Sequence, residues 1–252
     1  MNNPKSNNPV AFITGTSVRI GEAIAKRLHE GGYNIILHYR NSKAKAETLA
    51  ATFNNQRADS AMLVSGHLDD MNDAMQLISD VNDATNLFGG RLDVLVNSAS
   101  MFYATPLDEA TMPQWDELVN TNLRAPFLLA QGFTNSLKRT NGCIVNITDV
   151  YGDRPLENHP IYSMTKAGLI SLTKSLANDL APEIRTNAIS PGAILWPEQE
   201  ANDTEYHAKI LNQVPLARLG KVENISDTVW YLVSNDYING QVIAVDGGKS
   251  II

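Results

Sequence analysis

Apolar, β-branched runs alternate with longer amphipathic stretches along nearly the whole chain. The runs "VAFIT" from Val10, "NIILHY" from Asn34, "SAMLVSG" from Ser60, "LDVLVNS" from Leu92, "CIVNI" from Cys143, "RTNAIS" from Arg185 and "QVIAV" from Gln241 predict seven strands. Between the first two, Ile20, Ala23, Ile24 and Leu28 fall at i, i+3, i+4 and i+8, the stripe of a helix lying on a sheet. That helix is expected to end near Gly31 and Gly32, where glycine permits a left-handed cap. Similar stripes predict helices over 44–53, 73–81, 115–137, 162–180 and 224–232. Such alternation implies an α/β fold, a doubly wound parallel sheet with helices on both faces, because right-handed crossovers return each strand to the same direction. No repeat or shift in composition marks a second domain. The expectation is one domain over 9–252 after a flexible tail, 1–8, with the long irregular stretch 191–223 and its short helical piece at 205–211 serving as a substrate lid.

At 252 residues the chain is long enough for a substantial core, and its 43% hydrophobic and 19% charged residues argue against disorder. A net charge of −7 disfavours nucleic acid as a partner. Cys143 has no second cysteine to pair with, which excludes an intrachain disulfide and a cysteine metal cluster. The opening "MNNPKSNNP" contains no apolar segment of a signal or membrane span, so a cytoplasmic protein is expected.

Candidate chemistry lies where strands end. "TGTSVRIG" (14–21) follows the first strand and enters the first helix, whose N-terminal N–H groups would face a pyrophosphate. Gly15 and Gly21 permit a tight turn, while Arg19 occupies the usual middle-glycine position and adds a cationic fork. At the end of the second strand, "HYRNSK" lacks the acid that holds the ribose of NAD. It offers Arg40, with His38 and Ser42, to a 2′-phosphate, and NADPH is therefore the expected cofactor. Tyr162 and Lys166 in "YSMTK" stand at i and i+4 on one helix face, where the ammonium is expected to lower the phenol pKa. The same spacing at Tyr39 and Lys43 leaves a strand end and lacks that helical context. Asn122 in "VNTNL" could anchor a water that relays protons to Lys166, and Asp149 places a carboxylate at the mouth of an apolar strand, where it must be solvated, paired or employed.

Together "TGTSVRIG", "LDVLVNSAS", "VNTNL", "YSMTKAG", "TNAISPGAI" and "VDGG" resemble the short-chain dehydrogenase/reductase family, in that family's order over almost the whole chain. The resemblance implies a Rossmann-type sheet of seven strands, a Tyr162, Lys166 and Asn122 catalytic set, and a homotetramer. For the nicotinamide cofactor it implies contacts from Gly15, Arg19, Ile20 and Gly21; from His38, Tyr39, Arg40, Asn41 and Ser42; and from Leu68, Asn97, Ala99 and Ser100. Tyr162, Lys166, Pro191, Gly192 and Ile194 complete that set.

Most members carry Ser at the position of Asp149 and Gly at that of Arg19. These departures, with "LHYRNS", "SASMFYATPL" and "VPLARLG", look like the pteridine reductases, which reduce biopterin-type and folate-type substrates with NADPH. By that resemblance Asp149 joins the catalytic group, Phe102 stacks on the pterin, and Arg19, Ser100, Tyr162 and Trp196 line the substrate site. His67 stands where an acid commonly binds adenine, and Ser98 where the family repeats Asn. The alternative is a 3-oxoacyl-thioester or other carbonyl reductase of the same family; a non-catalytic NADP-binding regulator would have no need of Tyr162, Lys166 and Asn122 together.

Overall fold

In the computed structural model, which describes residues 8–17, 19–196 and 204–252, all seven expected runs form strands. They are β1 (Val10–Ile13), β2 (Asn34–Tyr39), β3 (Ala61–Ser65), β4 (Val94–Asn97), β5 (Cys143–Ile147), β6 (Arg185–Pro191) and β7 (Val242–Val245). Every pairing is parallel, in the order β3-β2-β1-β4-β5-β6-β7. The order reverses between β1 and β4, and that reversal opens a crevice at the carboxyl ends of these two strands.

Successive strand residues point to opposite faces, and each face is apolar. Ile13, Leu37, Val96 and Val145 pack under α1 (Arg19–Glu30), α2 (Lys43–Gln56) and α8 (Val222–Ser234). Phe12, Ile36, Leu95 and Ile144 pack under α3 (Met71–Leu87) and α5 (Ala125–Thr140), with the end of α6 (Pro160–Asp179) against them. Two shorter helices complete the described chain, α4 (Met112–Val119) and α7 (Thr204–Leu211). None of the described helices is long and apolar enough to cross a membrane.

The single helix expected over 115–137 is two helices, α4 and α5, joined by a π turn at Asn120–Arg124. Pro126 supplies a physical reason: it has no N–H to give to the carbonyl of Asn122 four residues back, so an α-helical ladder cannot run through this point. The Ala125 N–H instead reaches back five residues, to the Asn120 carbonyl. The expected tail, 1–8, lies outside the described residues apart from Asn8, as does the 197–203 portion of the expected lid.

Candidate active site

A cavity of about 420 Å³ occupies the crevice at the strand ends. Its first wall is the turn after β1. Gly15 adopts a φ of 70°, and a Cβ there would stand 2.9 Å from the Ala99 Cα; a Cβ on Gly21 would meet the Gly15 carbonyl at 2.1 Å. Glycine is thus required at both positions by backbone packing. Across the switch point, the Thr14 hydroxyl accepts the N–H groups of Ser98 and Ala99, each at 3.0 Å, fixing the end of β4 to the turn. Arg19, Ile20 and Gly21 line the cavity at the start of α1. Arg19 has a φ of 56°, the left-handed region that favours glycine, so the chain keeps this side chain at a cost of about 1–2 kcal/mol.

The second wall corrects one expectation. His38 lines the cavity but is buried: its Nδ1 accepts the Gly15 N–H at 3.1 Å and its Nε2 lies 3.0 Å from the Gly66 carbonyl. Burial pulls its pKa down to about 4, so it is a neutral strut holding the glycine turn and offers no cation to a phosphate. Arg40 is the cation on this wall. Tyr39, Asn41 and Ser42 flank it in sequence without lining the cavity; Ser42 stands at the N-cap of α2 and makes no capping bond. Leu68, Ala99 and Ser100 line the cavity, along with Gly66, Asp69 and Met101, which carry no sequence signal of their own. Asn97 turns into the sheet instead, where its amide donates to Asn146 at 2.8 Å and Asn146 donates in turn to Thr173 at 2.9 Å.

The floor carries the ionisable set. The Tyr162 hydroxyl donates to Oδ2 of Asp149 at 2.8 Å, while Oδ1 accepts the Tyr151 N–H at 2.9 Å and so caps a short 3₁₀ turn (Val150–Gly152). Lys166, one turn along α6 and only 2% exposed, donates to the Ile147 carbonyl at 3.1 Å and lies 5.6 Å from the centre of the Tyr162 ring. Burial brings its pKa down to about 8.

The expected lowering of the Tyr162 pKa is reversed. Burial raises it well above 10, the Asp149 carboxylate raises it further, and Lys166 is not among the groups that lower it. Burial also raises the pKa of Asp149, against the opposing pull of its two hydrogen bonds and of Lys166 and Lys249. A protonated phenol held against a carboxylate whose raised pKa eases proton uptake forms a pair through which a proton can pass.

Asn122 is buried in the π turn. Its Oδ1 accepts the Met101 N–H at 2.8 Å and the Ser100 hydroxyl at 3.1 Å, and its Nδ2 donates to the Met101 carbonyl and to Thr165. That side chain is engaged at both its oxygen and its nitrogen in tying the loop after β4 to α6, so it is not free for the expected relay. Phe102, on the same loop, is half exposed beside the floor, stacked on His159 at 4.9 Å and set edge-on to Tyr162 at 4.8 Å. Pro191, Gly192 and Ile194 close the third wall with Leu195. Trp196 stacks on His207 of α7 at 3.8 Å and does not line the cavity.

These residues fit a dinucleotide with a nicotinamide end. The cavity meets a helix N-terminus through a glycine turn, has cations at Arg19, Arg40 and Lys166, and is apolar at Ile20, Leu68 and Ile194. Of the four buried hydroxyls that find no partner among the described residues, two stand here, Thr121 in the cavity wall and Ser17 in the glycine turn. Such groups are ordinarily satisfied by a ligand or solvent.

The comparisons agree with this geometry. Residues 16–250 match a family model described as enoyl-(acyl carrier protein) reductase. The chain is 37% identical to a 3-oxoacyl-[acyl-carrier-protein] reductase of Staphylococcus aureus, over 94% of this chain and 96% of the relative. It is 35% identical to pteridine reductase 1 of Leishmania tarentolae, over 96% of each. Overall identity therefore does not discriminate between a ketone and a pterin, and the discrimination falls to particular residues at the floor of the cavity.

Proposed function

Because the chain belongs to the short-chain dehydrogenase/reductase family, we propose that it is an NADPH-dependent pteridine reductase, reducing a C=N bond of a biopterin-type or folate-type substrate. The observation that carries this reading is the contact between Asp149 and Tyr162 at 2.8 Å. A reduced C=N bond gains a hydride at carbon and a proton at nitrogen. The glycine turn, Arg40, Leu68, Lys166 and Ile194 would hold the nicotinamide cofactor, which would supply the hydride. Tyr162, kept protonated by burial and by its carboxylate neighbour, gives the proton to the nitrogen. Asp149, the carboxylate that accepts the Tyr162 hydroxyl, takes up a proton from solvent, a step its raised pKa eases, and passes it back to Tyr162 or on to a second ring nitrogen. Lys166 holds positive charge against the floor while the proton moves. Phe102 gives a flat heterocycle an aromatic face, worth about 0.5–1.5 kcal/mol beyond the area it buries. Arg40 supports NADPH as the cofactor.

Reduction of a 3-oxoacyl thioester is the second reading, and it is favoured by the 37% identity to a 3-oxoacyl-[acyl-carrier-protein] reductase. The chemistry at Asp149 weighs against it. A ketone becoming an alkoxide needs donors aimed at its oxygen, and an ionised carboxyl repels that charge. The test is NADPH oxidation with dihydrobiopterin, dihydrofolate, biopterin, folate and acetoacetyl thioester. Turnover of pterins above the thioester is expected; thioester turnover exceeding that of every pterin would transfer the assignment to the second reading.

A further inference from the structure

An acid missing from the end of β2 is supplied from elsewhere. Glu117, on the last turn of α4, places Oε1 3.8 Å from the Arg40 guanidinium and accepts the Tyr103 hydroxyl on Oε2 at 2.8 Å. Arg40 and Glu117 are each about one-third exposed, and the distance between them exceeds a hydrogen bond, so this is a loose pair that a ligand can separate. Arg40 lines the cavity, and Glu117 stands beside it.

We propose that Glu117 is a cofactor-selectivity residue that opposes the 2′-phosphate of NADPH and accepts the free 2′-hydroxyl of NADH. The inference rests on the reading of Arg40 as the 2′-phosphate cation. One base and one acid of opposite preference, Arg40 and Glu117, then face one ribose position. A guanidinium suits the phosphate, and a carboxylate suits the hydroxyl. A phosphate drawn to Arg40 must displace Glu117 and come to rest beside its negative charge, a penalty that NADH does not meet. Tyr103 limits how far the carboxylate can withdraw, because its phenol, pushed up to about 12 by burial and by Glu117 itself, remains a donor across the physiological range. The chain is therefore an NADPH enzyme with restrained selectivity, and NADH is bound measurably.

The experiment is direct titration of NADPH and NADH by cofactor fluorescence, in the wild-type protein and in Glu117→Gln, Glu117→Ala and Arg40→Gln. Glu117→Gln keeps the shape and an acceptor for Tyr103 while removing the charge. It is expected to raise the ratio of the NADH to the NADPH dissociation constant by about threefold to tenfold, with Glu117→Ala moving it in the same direction. Arg40→Gln is expected to lower that ratio. A ratio that falls in Arg40→Gln but stays within about twofold of wild type in both Glu117 variants overturns the role of Glu117 and leaves the NADPH reading standing. A ratio unmoved by Arg40→Gln overturns the NADPH reading and this inference with it.

Discussion

Lys166 offers the sharpest test of the electrostatics at the floor of the cavity. Its ammonium is 2% exposed, donates to the Ile147 carbonyl, and has its pKa brought from 10.5 to about 8 by burial. Bringing the pKa from 10.5 to about 8 represents about 3–4 kcal/mol of disfavoured charge. Below pH 8 both folded and unfolded chains carry the proton and that cost is present in full. Between pH 8 and 10.5 the unfolded chain retains a proton that the folded one has released, so stability from this group rises with pH. Above 10.5 the cost is gone.

Lys166→Met fills a similar volume without a charge and should therefore stabilise the free protein at pH 7 by about 1–3 kcal/mol while abolishing turnover. The gain should shrink towards zero as pH approaches 10, because the wild-type amine is by then neutral when folded. Urea denaturation of both proteins at pH 7 and pH 9.5, followed by tryptophan fluorescence, measures the difference; other titrating groups are common to the two and cancel. Saturating NADPH should reverse the order, since cofactor binding stabilises only a form that recognises it. A variant less stable than wild type at pH 7, or a difference independent of pH, would refute the account of Lys166 as a buried, under-compensated cation.

Three further outcomes follow from the same geometry. Tyr162→Phe removes the donor to Asp149 and should lower turnover by about 10²–10⁴-fold, measured by steady-state NADPH oxidation, with an unchanged fold by circular dichroism. Arg19→Gly relieves a left-handed φ of 56° and should raise the unfolding free energy in urea denaturation by about 0.5–1 kcal/mol while weakening NADPH in a fluorescence titration. Phe102→Ala, at a half-exposed position, should cost under about 1 kcal/mol of stability but raise KM for dihydrobiopterin about tenfold, and leave KM for an acetoacetyl thioester nearly unchanged.

The strands were legible in the sequence because a parallel sheet covered on both faces needs continuous apolar runs, and helices lying on it need one apolar stripe. "NIILHY" and "CIVNI" became β2 and β5 with boundaries as read. The turn glycines and the Tyr162 to Lys166 spacing were legible because local backbone demands fix them. What escaped was set by tertiary surroundings. His38 reads as a basic residue beside Arg40, yet a strand residue at the sheet interior is desolvated, and desolvation holds its ring neutral. The effect of Lys166 on Tyr162 was overruled in the same way, because burial and a second acid outweigh a cation whose ammonium is 5.6 Å from the ring centre. Glu117 gave no signal, since it reaches Arg40 from a helix 77 positions along the chain (117 less 40). The π turn around Asn122 had a visible cause in Pro126, but the stripe of apolar positions ran through it undisturbed.

Asp149 unites a structural and a chemical role in its two oxygens. Oδ1 caps the 3₁₀ turn through the Tyr151 N–H, and Oδ2 takes the Tyr162 hydroxyl. Serine is about as good a cap as aspartate, because a single side-chain oxygen suffices to accept the N–H, but it cannot serve both partners with a negative charge. Asp149→Ser should therefore preserve the turn and the stability of the fold while removing the acid from the floor, leaving the hydroxyl that most of the family carries there. Relief of the carboxylate's influence lets the Tyr162 pKa fall, and the developing alkoxide of a ketone no longer meets a negative charge. Pterin turnover should drop by at least about tenfold with NADPH affinity nearly unchanged, and the ratio of thioester to pterin turnover should rise. Equal losses of pterin turnover and NADPH affinity, together with a lowered melting temperature, would assign both oxygens to the fold and remove the chemical distinction on which the choice of substrate rests.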